Sequence, residues 1–254
     1  MAINRLEVLT VPGIPLVKAG DDIASMLASA LNQAELELLD GDVVVVAQKL
    51  VSKAEGRTRR LSEVVPSDKA RELAADTDKE AAMAQLILDE SHAILRYRPG
   101  VIIAEHRLGI VLANAGIDRS NVDRDRDLVL LFPENPDESA KRIKSALHAL
   151  CGTNVGVVIA DSVGRAWRMG TTGMAIGSAG VEALKNLRGR HDMFGRELEV
   201  SEHAVADSIA STAELLMGEA DEATPVVIVR GLAEGTSAQT SRALLRPADE
   251  DMFR

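Results

Sequence analysis

The sequence predicts an α+β fold in which mixed β-sheets are flanked by helices and divided between two subdomains. Short runs rich in Val, Ile and Leu recur along the chain, and most are bounded by Gly, Asp or Pro, as buried strands are. Helical patterns lie between these runs, but without the regular strand–helix alternation of a parallel sheet. Two runs, 101–104 and 110–113, follow each other closely enough to form a hairpin. A purely parallel, doubly wound sheet is the alternative.

The predicted strands are short, and most of them are rich in β-branched side chains, which favour extended backbone. Their lack of polar alternation indicates strands that are buried on both faces. The predicted strands span 6–11, 43–46, 101–104, 110–113, 128–132, 155–159 and 226–229.

The predicted helices carry apolar residues at helical spacing. The helix over 137–150 follows Pro136 and opens with acidic residues, which suit the positive end of the helix dipole. The longest predicted helix, over 201–217, has Ser201 as its cap and is followed by Gly218, a common terminator. The other predicted helices span 22–32, 66–75 and 79–88, and the predicted loops span 121–127 and 234–254.

The composition fits a protein that can bury a sizeable core, since 46% of the 254 residues are hydrophobic. Aromatic residues make up only 2%, so aliphatic side chains must fill that core. The formal net charge of -10 argues against a nucleic-acid partner, which would require a basic face. An acidic protein binds anionic ligands only where metal ions or clustered Lys and Arg reverse the local field.

Cys151 is the only cysteine, so the chain cannot form an internal disulfide, and a lone thiol suits a reducing cytosol. We expect this thiol to be buried at a helix end. Residues 1–17 lack the basic head and apolar stretch of a signal peptide. The apolar runs are far shorter than the ~20 residues of a membrane-spanning helix. These features predict a cytoplasmic protein with no membrane partner.

Residues 48–57 place two lysines, Lys49 and Lys53, directly after the predicted strand 43–46. Ligands gather at the carboxyl ends of sheet strands, so these lysines are candidates for phosphate contacts. The alternative is a solvated strand end without function. No Walker loop and no Gly-x-Gly-x-x-Gly is present, so a nucleotide site here must be of another kind.

Two further segments offer hard oxygen ligands of the type that Mg²⁺ and Mn²⁺ prefer. Asp118 and Asn121 follow the predicted strand 110–113, although an ordinary Asx turn is the alternative. Asp161 follows the predicted strand 155–159 and could bind metal. The segment 159–170 also contains two arginines that could clamp a carboxylate or phosphate, with a capped helix start as the alternative: Arg165 and Arg168.

Taken together, these segments resemble the coenzyme F420:L-glutamate ligase family. The resemblance spans residues 13 to about 232, in the order found in the family. The matching strings are GIPLVKAGDD (13–22), DGDVVVVAQKLVSKAEGR (40–57), ANAGIDRSNV (113–122), DSVGRAWRMGTTGMAIGSAG (161–180), LKNLRGRHDMFGREL (184–198) and AELLMGEADEATPVVIVRGL (213–232).

The resemblance implies a GTP-dependent ligase that adds L-glutamate, and then γ-linked glutamate, to coenzyme F420-0 through an acyl phosphate. It implies two divalent cations, Mg²⁺ or Mn²⁺, and leaves room for a monovalent cation such as K⁺. It also implies intertwined subdomains and a homodimer with the site near the subunit contacts. We expect one ligase domain over 1–254 and no C-terminal flavin-binding domain, which some bacterial relatives carry.

The resemblance also assigns site residues. It implies that Asp118 and Asp161 hold one cation, and that Ser162 and Glu219 contact a second. It implies a GTP site formed by Ile14, Pro15, Leu16, Val17, Gln48, Lys49, Lys53, Asn121, Met217, Gly218, Glu219, Ala220, Asp221, Glu222, Ala223 and Thr224.

The chain departs from the family pattern at a few positions. Ser162 stands where the family often has Thr, and Ala166 stands where it often has Pro. A serine keeps the hydroxyl group, so the metal contact remains chemically possible. Gln48, Lys49 and Glu219 lie at positions that vary among members. Two alternatives stay open: a nucleotide- or deazaflavin-binding protein without catalysis, and a related ligase that uses another amino acid or acceptor.

Overall fold

The computed structural model of the chain describes residues 5–120, 127–232 and 237–252. Its centre is a five-stranded sheet. The strands of this sheet, in spatial order, are β1 (Glu7–Thr10), β12 (Val226–Arg230), β2 (Val43–Ala47), β8 (Gly156–Arg165) and β9 (Arg168–Ala179).

One pair in this sheet is parallel, and that pair positions the functional site. Strands β2 and β8 run side by side in the same direction, from Val43 opposite Gly156 to Ala47 opposite Ala160. The other three pairs of the sheet are antiparallel. The residues that follow Ala47 and Ala160 therefore emerge at the same edge of the sheet.

Helices cover both faces of the central sheet, which explains why the valines of β2 are all buried. On one face, Leu27 and Leu147 pack against β-strand side chains such as Val157. On the other face, Ile209 and its neighbours pack against Val45 and the strands beside it. The helices are α1 (Ile23–Gln33), α2 (Gln48–Ala54), α3 (Asp68–Thr77), α4 (Ala81–Asp89), α5 (Pro136–Cys151) and α6 (Val205–Met217).

A separate hydrophobic cluster forms where α3 and α4 pack on a three-stranded antiparallel sheet. Leu73, Ile87 and Ile102 are among its buried residues. This sheet contains β4 (Ser91–Arg98), β5 (Val101–His106) and β6 (Val111–Ala113). Two strand pairs complete the described strands: β3 (Thr58–Arg60) with β7 (Leu128–Leu130), and β10 (Leu184–Asn186) with β11 (Glu202–Ala204).

A buried ionic network ties this second cluster to the segment that follows α2. The guanidinium of Arg57 donates to both carboxylate oxygens of Glu90, at 2.9 and 2.8 Å, and to the carbonyl of Phe132 at 2.8 Å. Arg107 donates to Glu90 at 3.0 Å, and the fully buried His106 lies 3.4 Å from the same carboxylate. Burial would raise the pKa of Glu90, but these partners lower it to about 2.

The α+β class with mixed sheets is confirmed, and the doubly wound alternative is wrong because most strand pairs are antiparallel. Each predicted strand corresponds to an observed one, and β5 pairs with β6 as the predicted hairpin requires. The predicted helices over 22–32, 66–75, 79–88 and 137–150 are present with shifts of one to two residues at their ends.

Several boundaries differ from the prediction. Helix α6 begins at Val205 and not at Ser201, because residues 202–204 pair as β11 and Ala204 stands at the cap without a side-chain bond. Residues 48–54, expected only as a strand end, form α2. Strand β8 continues to Arg165, beyond the predicted end at 159. Cys151 ends α5 as expected but is exposed.

Strand β9 was missed because it is rich in glycine, a residue that is depleted in strands. Its glycines allow helices to approach closely. A Cβ atom on Gly173 would lie 2.5 Å from the carbonyl oxygen of Ala210 in α6. A Cβ on Gly177 would lie 2.5 Å from the backbone of Pro136, the first residue of α5. The two glycines therefore seat helices on opposite faces of the sheet.

The helices in the described part of the chain are all too short or too polar to cross a bilayer. The predicted loop over 121–127 lies almost entirely outside the described residues, and Asn121 lies outside them as well. In the described part of the tail, two short 3₁₀ turns interrupt the predicted loop, at Ser241–Leu244 and Ala248–Glu250.

Candidate active site

A cleft with a volume of about 660 Å³ opens at the edge where the pairing of β2 with β8 ends. The residues predicted for nucleotide and metal contacts line this cleft wherever the structure describes them. They come from five segments of the sequence. These segments are the loop 14–17, helix α2, the turn before Asp118, residues 161–162 within β8, and the loop 217–224 at the end of α6.

Lys49 and Asp118 form an ion pair inside the cleft. The Nζ atom of Lys49, in the first turn of α2, lies 2.7 Å from Oδ2 of Asp118. Ser120 donates its backbone N–H and its hydroxyl to the same carboxylate, at 2.6 and 2.8 Å. Burial alone would raise the pKa of Asp118, but the Lys49 and Ser120 interactions lower it. Asp118 is therefore a charged carboxylate whose present counter-ion is an ammonium group.

An unusual turn delivers Asp118 to the cleft. Asn114, Ala115 and Gly116 have φ angles of 52°, 51° and 68°, so three consecutive residues adopt the left-handed conformation. Such backbone is costly for residues with a Cβ, and it clusters at functional sites. A Cβ on Gly116 would overlap the ring of Phe132. After this turn, Asp118 and Leu130 exchange backbone hydrogen bonds of 3.0 and 2.8 Å, which fix the position of Asp118.

Asp161 also lines the cleft, one residue after the end of the parallel pairing between β2 and β8. Burial raises its pKa to about 7. Lys49 opposes this rise, whereas the nearby carboxylates of Asp118 and Glu219 add to it. Asp161 is thus a carboxyl group that a nearby cation would strongly favour in its charged form.

A second pair of carboxyl groups lies beside Ser162. The first of the two, Glu219, accepts a 3.1 Å hydrogen bond from the hydroxyl of Thr171. The second is Glu214, in the last turn of α6. Burial raises the pKa of Glu214, and the hydrogen bond with Glu214 lowers that of Glu219. The two carboxyl groups therefore lie close together on this side of the cleft, next to the Ser162 hydroxyl.

Glu214 was not predicted as a site residue, although the sequence carried a signal for it. It lies four residues after Ala210 and eight after Ala206, both buried, so it extends the buried stripe of α6. A carboxyl group on the buried side of a helix requires a partner, which makes it a candidate for function.

The loop after α6 has a tightly defined backbone. Gly218 has a φ of 70°, and a Cβ at this position would overlap the side chain of Glu222. Glu222 accepts the backbone N–H of Ala220 at 2.9 Å, and its carbonyl accepts the hydroxyl of Thr224. The loop 217–224 therefore forms a compact cleft wall whose shape depends on the glycine.

The cleft contains Gln48 and Lys53 as predicted, but the two differ in exposure. Gln48 is only 2% exposed, and its side-chain oxygen accepts a 2.8 Å hydrogen bond from Ser52. Gln48 therefore lines the cleft with little of its surface open to solvent. Lys53, one turn after Lys49, lines the same wall and places a second cationic side chain there.

Arg165 and Arg168, predicted as substrate contacts, do not line the cleft. They lie at the exposed tip of the β8–β9 hairpin, where Arg165 donates to the carbonyl of Met169 at 3.0 Å. Trp167 occupies the turn itself, with a φ of 61°. The segment is therefore a hairpin, and the alternative of a capped helix start is wrong.

The donor set in the cleft suits a hard divalent cation, since it combines Asp118, Asp161, Glu219 and the Ser162 hydroxyl. Among the described residues, no three acidic, histidine or cysteine side chains are arranged to coordinate an ion by themselves. Mg²⁺ usually takes one or two protein carboxylates and completes its shell with phosphate oxygens and water. The residues present fit a cation that is shared with a phosphate ligand.

Comparison with known proteins finds relatives that match nearly the whole chain. A model of the F420-0:Gamma-glutamyl ligase family matches residues 13–231. The coenzyme F420:L-glutamate ligase of Methanothermobacter thermautotrophicus is 44% identical over 251 residues, which cover 98% of this chain and 99% of that protein. The proteins of the same name from Methanocaldococcus jannaschii and Archaeoglobus fulgidus are 43% and 44% identical, over 99% and 98% of this chain and 98% and 97% of their own. This chain therefore belongs to the F420-0:gamma-glutamyl ligase family and is a ligase.

Proposed function

We propose that the chain joins L-glutamate to the carboxylate of coenzyme F420-0 with consumption of GTP, and then adds further glutamate through a γ-linkage. The observation that carries this proposal is the convergence of Asp118 and Asp161 on one cleft that also contains Lys49 and Lys53. Two acidic side chains opposite two lysines suit a triphosphate whose charge is shared between a divalent cation and ammonium groups.

The proposed reaction has two steps, because a carboxylate is a poor electrophile. An acceptor carboxylate oxygen attacks the γ-phosphorus of GTP, the bond from that phosphorus to the β–γ bridging oxygen breaks, and GDP leaves. The glutamate amine then attacks the carbonyl carbon of the resulting acyl phosphate, loses a proton and expels inorganic phosphate. The balance is one new amide bond for one GTP hydrolysed to GDP and phosphate.

The protein contributes position and charge to this reaction. Lys49 and Lys53 would hold phosphate oxygens, and the loops 14–17 and 217–224 would enclose the nucleotide. Asp118 and Asp161 would hold one divalent cation, and Ser162 with Glu219 a second. When bound, such ions, Mg²⁺ or Mn²⁺, stabilise negative charge on the transferring phosphoryl group. No residue needs to act as a nucleophile, since positioning and electrostatics can supply the rate.

We further propose that the chain works as a homodimer. Trp167 and Met169, at the tip of the β8–β9 hairpin, are 83% and 95% exposed, and Met193 and Phe194 are 89% and 88% exposed. Large exposed apolar side chains of this kind mark interaction sites. In a dimer, Arg165 and Arg168 could reach the cleft of the other subunit. Light scattering of the purified chain that gave only the monomer mass at micromolar concentration would refute this arrangement.

The central test replaces each cleft aspartate with its amide, Asp118→Asn and Asp161→Asn. Each variant should lose at least about 100-fold in Mn²⁺- or Mg²⁺-dependent GTP turnover with F420-0 and glutamate, because a charged cation ligand is removed. Mass spectrometry of the products would identify the added glutamates. Asp249→Asn, at an exposed position outside the cleft, is the matched control. Full activity of both cleft variants in folded protein would refute the metal assignment.

The same assay distinguishes the proposed ligase from a protein that binds these ligands without catalysis. Such a protein would bind GTP or the deazaflavin acceptor but would not release GDP in response to glutamate. A related ligase would release GDP with another amino acid or acceptor in place of glutamate or F420-0. Glutamate-dependent GDP release together with a glutamylated product supports the proposed function, and its absence under all metal conditions would refute it.

A further inference from the structure

We infer that Glu214 is an additional oxygen ligand of the cation assigned to Ser162 and Glu219, and that it positions this cation in the cleft. The inference rests on the proposed function, since it concerns a cation of the same site. It adds a residue from the last turn of α6 to a cation site otherwise formed by β8 and the loop 217–224.

The two carboxylate oxygens of Glu214 have different environments. Oε2 accepts a short hydrogen bond from the backbone N–H of Gly173 in β9. Oε1 is shielded from solvent and makes no hydrogen bond to a described residue, although the Ser162 hydroxyl lies beside the carboxyl group. A buried polar atom without a partner is costly, and most such atoms in folded proteins are paired. A ligand bound at Oε1 would give this buried oxygen a partner.

The neighbours of Glu214 specify the charge of that ligand. Glu219 and the hydroxyl of Ser162 lie beside it, and all three side chains line the cleft. Two carboxyl groups that face each other repel when both are ionised, and a cation between them removes this repulsion. Carboxylate and hydroxyl oxygens are hard ligands, so the cation should be Mg²⁺ or Mn²⁺ and not a soft metal.

A purely structural role for Glu214 can be separated from this one, because α6 contains a matched residue. Asp207, two turns earlier on the same helix, accepts the backbone N–H of Ala175 at 2.9 Å. Both acids therefore bind β9 to α6 in the same way. Asp207, however, lines a different cavity, of about 220 Å³, that contains none of the proposed cation ligands.

The test compares Glu214→Gln with Asp207→Asn in Mn²⁺ binding, measured by electron paramagnetic resonance on the full chain in the presence of GDP. Both amides keep an oxygen that can accept the β9 N–H and remove only the charge. We expect Glu214→Gln to weaken one Mn²⁺ site about tenfold or more, a typical loss when a residue that supports a metal is removed. Asp207→Asn should leave Mn²⁺ affinity within about twofold.

Two further variants secure the assignment. Glu219→Gln should weaken the same Mn²⁺ site, and the double variant should lose less than the sum of the two single losses, because both residues act on one ion. Glu214→Asp, which retracts the carboxylate by one methylene group, should also lose Mn²⁺ affinity. If Glu214→Gln does not fold, the Mn²⁺ affinity of Glu214→Asp tests the same inference.

The outcomes distinguish this inference from the proposed function. Mn²⁺ binding that is weakened by Asp161→Asn but unchanged in Glu214→Gln and Glu214→Asp would overturn the role of Glu214 alone. Equal losses of Mn²⁺ affinity in Glu214→Gln and Asp207→Asn would also overturn it. They would show that Mn²⁺ binding depends on the packing of α6 against β9 and not on direct coordination by Glu214. A wild-type chain that binds no Mn²⁺ with GDP would overturn the proposed function and this inference together.

Discussion

At the scale of single residues, the cleft depends on Gly116. This glycine ends the left-handed turn that precedes Asp118, and it leaves no room for a side chain between the turn and the Phe132 ring. Phe132 is fully buried and also packs on His106, with ring centroids 5.3 Å apart, so it has little freedom to move. The position of a proposed cation ligand is thus set two residues away by the absence of a Cβ atom.

Replacing Gly116 by alanine should therefore destabilise the protein by roughly 2–4 kcal/mol, the sum of an unfavourable φ and overpacking. Urea denaturation measures the loss in the free energy of unfolding. Gly100→Ala is the matched control, because Gly100 also has a positive φ, of 88°, but would meet nothing within 4 Å. That control should cost only about 1 kcal/mol. Equal losses in the two variants would show that the Phe132 ring moves aside for the added methyl group at little cost in free energy.

Residue chemistry also decided how much of the site was predictable. Asp118 and Asp161 were predicted because hard oxygen ligands at strand ends are visible in the sequence, and the structure places both in one cleft. Glu214 was missed because its importance depends on facing Ser162 and Glu219 across the fold. Arg165 and Arg168 looked like site residues by sequence proximity to Asp161, but the extension of β8 carries them away from the cleft.

At the scale of elements, β9 and α6 pack backbone to backbone. Gly173 contacts the carbonyl of Ala210, while Asp207 and Glu214 accept backbone N–H groups from the same strand. Two hydrogen bonds therefore join the helix to the strand, and the missing side chain at Gly173 allows the two backbones to approach closely. This packing determines the distance from Glu214 to the end of β8.

The variant Gly173→Ala should push the last turns of α6 away from β9. We expect a loss of roughly 2–4 kcal/mol in the free energy of unfolding and a parallel loss of Mn²⁺ affinity, because an added methyl group would press on helix backbone. Gly164→Ala, on the neighbouring strand, is the control for stability, since a Cβ there meets nothing within 4 Å. Thermal melting and Mn²⁺ titration would measure the two effects. Wild-type values for Gly173→Ala would contradict the packing described.

Local signals explain which elements were predictable. Helix α1 has Asp22 as a cap that accepts the N–H groups of Ala24 and Ser25, and α5 has Asn135 followed by Pro136. These signals are visible in the sequence. Helix α2 has no side-chain cap at Ala47, and only its packing makes it a helix. Strand β9 likewise owes its form to neighbours on both faces, because its own composition disfavours a strand.

At the scale of the whole molecule, the buried network around Glu90 joins the cluster of α3 and α4 to the segment after α2. One carboxylate there faces the guanidinium groups of Arg57 and Arg107 and the His106 ring. His106 accepts the N–H of Leu108 on Nδ1 at 3.0 Å, so its other nitrogen carries the proton toward Glu90. Burial lowers the pKa of His106, and its neutral form suits this arrangement.

The network predicts how stability depends on acid. The folded pKa of Glu90, about 2, is below its ordinary value of 4.5, so its contribution is present above pH 4.5 and is lost as pH falls toward 2. Glu90→Gln should lower the free energy of unfolding at pH 7 by roughly 3–5 kcal/mol, because it leaves buried arginines without a counter-charge. The difference from wild type should shrink as pH falls through this range.

Glu63→Gln, at an exposed position, is the control for this measurement and should stay within about 0.5 kcal/mol of wild type. Chemical denaturation at a series of pH values from 7 to 3 provides the comparison. A difference between Glu90→Gln and wild type that stayed constant over this range would mean that Glu90 is not responsible for the acid sensitivity.

Because β2 and β8 pair in parallel, the cleft is assembled from two distant parts of the chain. Lys49 follows β2, Asp161 lies just beyond the part of β8 that pairs with β2, and the separate α3–α4 cluster is formed from the sequence between them. A polypeptide nicked at the exposed turn around Gly100 would divide the cleft's acids from its lysines. Neither fragment would then contain all the residues of the proposed site, so the complete cleft would form only when both halves of the chain are docked.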